Sequence, residues 1–151
     1  MMPVEDTVCQ CCTKLKKKAI LLDDFARITA RLMDNIASGD EQALAGGVKE
    51  RQKTIHRICA IDRELDILSS RPDFSIDRIS EASRHAVGEC LTRIKASLER
   101  LAGMDRECLA LAGNRCDTLR SGVLKMRAGL QLARGYGRTS IRPPRFLDLK
   151  R

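Results

Sequence analysis

Three cysteines near the start of the chain have a spacing that allows metal or redox chemistry. Cys9, Cys11 and Cys12 form a C-x-C-C cluster, and the basic run Lys16–Lys18 follows it closely. Thiolates bind soft metals such as zinc, and nearby lysines lower the pKa of a thiol. A structural zinc site needs four ligands, usually in two separated pairs. We therefore interpret the cluster as loose thiols and predict neither a metal nor a cofactor.

Each of the two histidines has a cysteine close to it in the sequence. His56 and Cys59 are three residues apart and can face one ligand on a helix, whereas the five-residue spacing of His85 and Cys90 fits less well. A metal site would need both pairs to converge. We interpret all four as ordinary helix residues, and we expect Cys90 and Cys108 to behave as small hydrophobic side chains.

Catalysis needs a nucleophile, a base and an orienting group that converge. Two isolated histidines and the lack of a glycine-rich phosphate loop do not supply such a set. The carboxylates alternate with Lys and Arg, as they do on solvated helix faces. We predict no catalytic residues and a protein that is not an enzyme.

The basic charge is concentrated at the two ends of the chain. The net charge is +8 over 151 residues. Residues 1–18 carry +2 and residues 134–151 carry +5, which leaves +1 for residues 19–133. A nucleic-acid-binding domain clusters its charge on the folded body. We therefore predict that nucleic acid is not a partner.

The beginning of the chain has no apolar run of the kind that a secretory signal contains. No stretch approaches the roughly 20 apolar residues of a membrane span, so we predict no membrane insertion. The seven cysteines are an odd number. Together these features predict a cytoplasmic protein with reduced thiols.

Apolar residues recur with helical spacing through most of the sequence, so the predicted fold class is all-α. Leu15, Leu22, Thr29 and Ile36 follow one another at intervals of seven and indicate a first helix from Thr13 to about Ala37. Ser38-Gly39-Asp40 interrupts the pattern, with Gly39 suited to a left-handed residue and Ser38 or Asp40 suited to capping the next helix. The second helix is expected to end at Ser69-Ser70-Arg71-Pro72. This helix carries residues at spacings of three, four and seven, namely Leu44, Val48, Ile55, Ile58, Asp62 and Leu65.

The third predicted helix runs from about Ser75 to Arg134, and Gly135-Tyr136-Gly137 is expected to end it. It would be about 90 Å long at 1.5 Å per residue, which is about twice the length of the second helix. It must therefore extend beyond its partners or bend, with Gly103 and Gly113 as bend points. Its predicted seam consists of Val87, Leu91, Ile94, Leu98 and Leu101. The architecture is thus an elongated antiparallel helical hairpin or bundle of three main long helices.

The last part of this helix has an apolar face with missing side chains. Gly122 and Gly129 continue the seven-residue row of Val87, Ile94, Leu101 and Cys108. Beside these glycines the apolar residues are Leu119, Val123, Met126 and Leu130. One interpretation is a shallow groove that binds an amphipathic helix of a partner, to which Met126 can adapt. Ordinary packing inside the bundle explains the pattern equally well.

The order of several motifs resembles the bacterial flagellar export chaperones of the FlgN type, including FliT-like relatives. The stretch Ser38-Gly39-Asp40-Glu41-Gln42-Ala43-Leu44, followed by Lys49, Ile55 and Ile58, is similar to the centre of that family. Tyr136-Gly137, after Leu130 and Leu132, is similar to the family's Tyr-Gly ending of a long third helix. The resemblance covers about residues 15–137. The N-terminal cysteines and the basic tail have no counterpart in it.

This resemblance implies a cytoplasmic chaperone of the flagellar type III secretion system. Such a chaperone binds the amphipathic end of hook–filament junction proteins, prevents premature assembly and delivers them for export. The implied partner-binding residues are Leu119, Val123, Met126, Leu130 and Tyr136. The sequence pattern predicts a flexible segment at 1–12, a helical chaperone-like domain at 13–134 and a basic proline-containing tail at 135–151. The charge of the tail makes it a candidate for docking to the export apparatus.

Two functions of other classes remain open from the residues alone. One is a helical metal or redox sensor that uses the cysteines. The other is a basic coiled-coil protein associated with nucleic acid.

Overall fold

Three long helices make up most of the protein. The computed structural model describes residues 4–141, without the side chains of Ile76 and of residues 137–141. Helix α1 spans Val4–Ser38, α2 spans Glu41–Ser69 and α3 spans Glu81–Ile141, with a short 3₁₀ helix at Ile76–Arg78 between the last two. The predicted all-α class with three main helices is confirmed.

The first helix begins nine residues earlier than the sequence pattern indicated. Thr7, Val8 and Cys11 are all buried, and with Leu15 they continue the apolar stripe of α1 toward its start. Glu5 and Asp6 lie in the first turn, where carboxylates interact favourably with the helix dipole. The stripe was missed because a threonine and a cysteine occupy core positions that larger hydrophobic residues usually mark.

A two-residue connection joins α1 to α2. Gly39 has a φ of 76°, and its amide donates to the Asn35 carbonyl at 2.9 Å, which ends α1 in a left-handed residue. The Asp40 side chain then accepts from the Ala43 amide at 3.1 Å and caps α2. Of the two candidate caps, Asp40 is therefore the one that is used.

Ion pairs between the helices establish their directions. Three pairs join α1 to α2: Lys14–Glu64, Lys18–Asp62 and Arg31–Glu50. Since the residue numbers rise along α1 and fall along α2, the two helices are antiparallel. Two further pairs bring in α3: Arg93–Asp23 and Arg51–Asp105. They place α3 parallel to α1 over this region.

The core is aliphatic and lies where the three helices meet. Helix α1 contributes five of its members, namely Leu15, Ala19, Leu22, Phe25 and Ala26. Helix α3 adds Ile94 and Leu101, and half-buried residues of α2, such as Ile55 and Ile58, pack against them. The polar Thr29 is fully buried, and its hydroxyl donates to the Phe25 carbonyl at 2.8 Å, so its burial leaves no unsatisfied donor.

Part of the predicted apolar seams is wrong. Val48 on α2 and Leu91 and Leu98 on α3 are about half exposed. On α2 the buried positions are instead Thr54, Ile61 and Leu68, a seven-residue row. Helical spacing identifies an apolar arc, but the positions of the neighbouring helices decide which part of that arc is covered.

The connection between α2 and α3 is longer than the sequence indicated. Helix α2 ends at Ser69, as predicted, whereas α3 begins at Glu81 rather than near Ser75. The Ser80 hydroxyl accepts from the Ser83 amide at 3.2 Å and so supplies the cap. Ile79 is buried and anchors the connection.

Helix α3 extends past its predicted end. It is continuous through Gly103 and Gly113, and it ends at Ile141 instead of Arg134. A glycine lowers helix stability by only about 1 kcal/mol relative to alanine, so Gly135 and Gly137 do not stop the helix. Of the predicted basic proline-containing tail at 135–151, residues 142–151 lie outside the described residues. Over residues 4–141, none of the helices has an apolar stretch that is long enough to cross a membrane.

Candidate partner-binding site

The protein divides into two compact units, one up to Leu111 and one from Ala112 onward. In the second unit, each described side chain from Gly113 to Tyr136 is exposed. This stretch is a regular part of α3. An isolated helix receives little stability from its own hydrogen bonds and normally gains it by packing an apolar face. A partner that packs against the second unit would therefore contribute most to the stability of this helix.

Four of the five predicted site residues form one apolar stripe on this helix. Leu119, Val123, Met126 and Leu130 follow one another at spacings of four, three and four, which places them on a single face. Their exposed fractions are 55%, 48%, 68% and 55%, respectively. A contiguous apolar patch on a protein surface is typical of a site that binds another protein. We refer to these four residues as the α3 stripe.

The fifth predicted residue, Tyr136, lies beside the stripe rather than on it. It stands seven and fourteen residues after Gly129 and Gly122, so these three positions share a row along one flank. A Cβ atom at either glycine would meet nothing within 4 Å in the chain itself. The flank is consequently open at both glycines, and a partner can approach the backbone closely there.

Two exposed leucines of the second unit were not predicted as site residues. Leu124 and Leu132 are 58% and 65% exposed, but they point away from the stripe because they lie two residues from Met126 and Leu130, respectively. Residues at that spacing are separated by more than half a turn. Leu124 and Leu132 therefore provide control positions for mutational tests of the α3 stripe.

The N-terminal cysteines belong to α1 and do not form the loose cluster that was predicted. Cys9 is exposed, Cys12 is half-buried and Cys11 is only 6% exposed. Burial raises the pKa of the Cys11 thiol, with a smaller increase from the neighbouring Cys12 and an opposing effect of Arg71. A thiol of this kind stays protonated at neutral pH and packs as a small hydrophobic group.

The pKa of Cys12 is raised as well, mainly by burial and then by the nearby Cys90 thiol of α3. Lys16 lowers it, but this effect is smaller than those of burial and Cys90, and Cys9 adds a further, smaller increase. The sequence places the run Lys16–Lys18 near these cysteines, and nearby lysines lower the pKa of a thiol. The net shift at Cys12 is nevertheless upward, because burial and the Cys90 thiol outweigh Lys16.

The two histidines, which were interpreted as ordinary helix residues, each lie close to a side chain one turn away on the same helix. His56 lies within 3.2 Å of the Gln52 side chain, one turn away on α2. His85 lies 3.2 Å from the Glu89 carboxylate on α3. Among the described residues, no group of three or more His, Cys, Asp or Glu side chains is arranged to hold a metal ion.

Comparison of the chain with protein-family models, with curated proteins and with solved structures found no match.

Proposed function

We propose that this protein is a flagellar type III export chaperone that uses the α3 stripe to bind the amphipathic end of a hook–filament junction protein in the cytoplasm. The observation that carries the proposal is the exposed stripe of Leu119, Val123, Met126 and Leu130 on a helix whose described side chains from Gly113 to Tyr136 are all exposed. The order of the sequence motifs supports the choice of this chaperone class.

The proposed mechanism assigns separate tasks to the two units. The first unit, with its aliphatic core around Leu22 and Ile94, provides a stable base. The stripe covers apolar residues of the substrate that would otherwise drive early assembly, as helix-in-groove binding does elsewhere. The bound substrate end is thereby kept available for export. No step requires a catalytic group, a metal or nucleic acid.

The binding of a junction-protein terminal segment to the Met126→Asp variant tests this proposal. A carboxylate in the centre of the stripe would have to be desolvated on binding, which is costly. We expect the affinity, measured by isothermal titration calorimetry, to fall by about a hundredfold or more, as for the loss of a central interface residue.

The matched control is Leu124→Asp. Leu124 is similarly exposed and lies two residues away on the far side of the same helix. The Leu124→Asp substitution introduces the same charge as Met126→Asp, and it should change the affinity for the junction-protein segment by less than about threefold. If Met126→Asp binds as well as the unmodified protein, or if both variants weaken binding equally, the α3 stripe is not the substrate site.

A further inference from the structure

A row of arginines runs along one flank of the α3 stripe. Arg120, Arg127 and Arg134 stand at seven-residue intervals, and each directly follows a residue of the apolar face: Leu119, Met126 and Ala133. All three side chains are exposed. In the heptad notation of paired helices, with Leu119 and Met126 at d and Val123 and Leu130 at a, the arginines occupy consecutive e positions.

Between Arg120 and Arg134, the flank of the α3 stripe opposite the arginine row carries no charged residue. Gly122 and Gly129 precede Val123 and Leu130 and occupy g positions, where they leave open space. The single acidic residue from Gly113 to Tyr136 is Asp117, which lies two residues before Leu119 and therefore on the far side of the helix. From Leu119 to Leu130 the face thus has one basic edge and one uncharged edge, and Arg115 occupies the preceding g position.

This pattern does not suit a second copy of the same helix. In a parallel pair, e positions face g positions, so each arginine row would face glycines. In an antiparallel pair the two arginine rows would face each other, and like charges at that distance repel. Neither arrangement gives the arginines a carboxylate partner.

We propose that the partner of this face is an acidic amphipathic helix. This inference rests on the proposed function and specifies its partner. The apolar residues of that helix cover the α3 stripe, and its larger side chains fill the space above Gly122 and Gly129. Its Asp and Glu residues pair with Arg120, Arg127 and Arg134, for which the guanidinium group provides a fork that matches a carboxylate.

Three synthetic peptides of four heptads test the proposal with the full chain. All have Leu at the a and d positions, and they differ only in carrying Glu, Gln or Lys at every e and g position. We expect the Glu peptide to bind about tenfold more tightly than the Gln peptide, because three exposed ion pairs contribute about twofold each. The Lys peptide should bind most weakly. At about 0.5 M salt the preference should shrink to about twofold, since exposed charges are screened.

Two charge reversals on the same helix localise the effect. Arg127→Glu should weaken binding of the Glu peptide several-fold and strengthen binding of the Lys peptide. Lys125→Glu is the matched control: it changes the net charge equally and is also exposed, but it lies outside the arginine row. It should change neither affinity by more than about twofold. Both side chains are exposed, so the fold should be retained, and circular dichroism verifies this.

Equal affinities for the three peptides, equal effects of the two reversals, or no binding of any peptide would overturn the acidic-partner assignment. The proposed function would stand in those cases if a junction-protein segment still lost affinity on Met126→Asp. A dimer of this chain that dissociates on Met126→Asp would also overturn it, because a second copy would then occupy the face. The assignment would also be overturned if an oligonucleotide bound more tightly than the Glu peptide and if Arg127→Glu abolished that binding.

Discussion

At the scale of single residues, the cysteines differ in chemical reactivity because the structure buries them to different extents. We expect alkylation by iodoacetamide, followed by mass spectrometry, to modify the exposed Cys9, Cys59 and Cys116 first and Cys11 last. The thiolate is the reacting form, and burial raises the pKa of Cys11. Rapid modification of Cys11 in the native state would contradict its assignment as a packing residue.

The raised pKa of the Cys11 thiol also affects the stability of the protein at high pH. A group whose pKa is raised by folding stabilises the native state below its unfolded pKa, and this contribution is lost as the pH rises. The free energy of unfolding should therefore decline as the pH passes the ordinary thiol pKa. A Cys11→Val variant, which has no ionisable group at that position, should show a smaller decline in urea titrations at the same pH values.

Arg51 links all three helices through its guanidinium group. The group lies 4.6 Å from the centre of the Phe25 ring on α1 and pairs with Asp105 on α3. Arg51→Ala should lower the free energy of unfolding by about 1–2 kcal/mol through the loss of the cation–π contact, the ion pair and the packed stem.

Arg31 is the control for Arg51, because it also forms an ion pair between helices but is far more exposed and contacts no ring. Arg31→Ala should change the stability by less than about 0.5 kcal/mol in the same urea titration. Equal effects of the two substitutions would show that the Phe25 contact contributes nothing measurable.

At the scale of the helices, two adjacent glycines of α2 have different surroundings. Gly46 has open space around it, whereas a Cβ at Gly47 would lie 2.7 Å from the buried Leu32 side chain of α1. Gly46→Ala should stabilise the protein by about 0.5–1 kcal/mol through the lower entropy of the unfolded chain. Gly47→Ala should instead destabilise it by about 1 kcal/mol, because Leu32 has to move in a packed core.

Thermal unfolding of the two variants measures this difference directly. A similar gain in both would mean that Leu32 adjusts without cost. The different surroundings of the two glycines cannot be predicted from the sequence, because the approach of Leu32 to Gly47 is a property of the packed hairpin.

The helices themselves were largely predictable, and the exceptions have physical reasons. The stripe of α1 was found because Leu15, Leu22 and Ile36 repeat at a helical interval. The early start of α1 was missed because Thr7 and Cys11 are buried through packing, which residue type does not reveal. The extension of α3 to Ile141 was missed because the glycines weaken the helix without ending it.

At the scale of the whole molecule, the described side chains between Gly113 and Tyr136 are all exposed, so this stretch should exchange its amide hydrogens faster than the centre of α1. Hydrogen exchange with mass spectrometry measures this. Binding of the Glu peptide should slow exchange between Leu119 and Arg134, because a covered helix opens less often. Uniformly slow exchange in the free protein would show that this helix is stabilised without a partner.

The candidate site was predictable in part at this scale. The apolar spacing of Leu119 to Leu130 is visible in the sequence, but it fits bundle packing as well as partner binding. The spacing alone does not show whether these side chains are exposed, and in the structure they are. The arginine row shows a seven-residue interval in the sequence, but that interval becomes informative only once the apolar face beside it is known to be exposed.

The two-residue turn at Gly39-Asp40 has a consequence for the order of events during synthesis. It brings the end of α1 next to the start of α2, so the contacts nearest the turn are close in sequence and form with little loss of loop-closure entropy. Such local contacts favour rapid folding. Domains emerge from the ribosome N-terminus first. We therefore expect the α1–α2 hairpin to form while α3 is still being translated, leaving the nascent third helix to dock its Ile94–Leu101 segment onto a preformed surface.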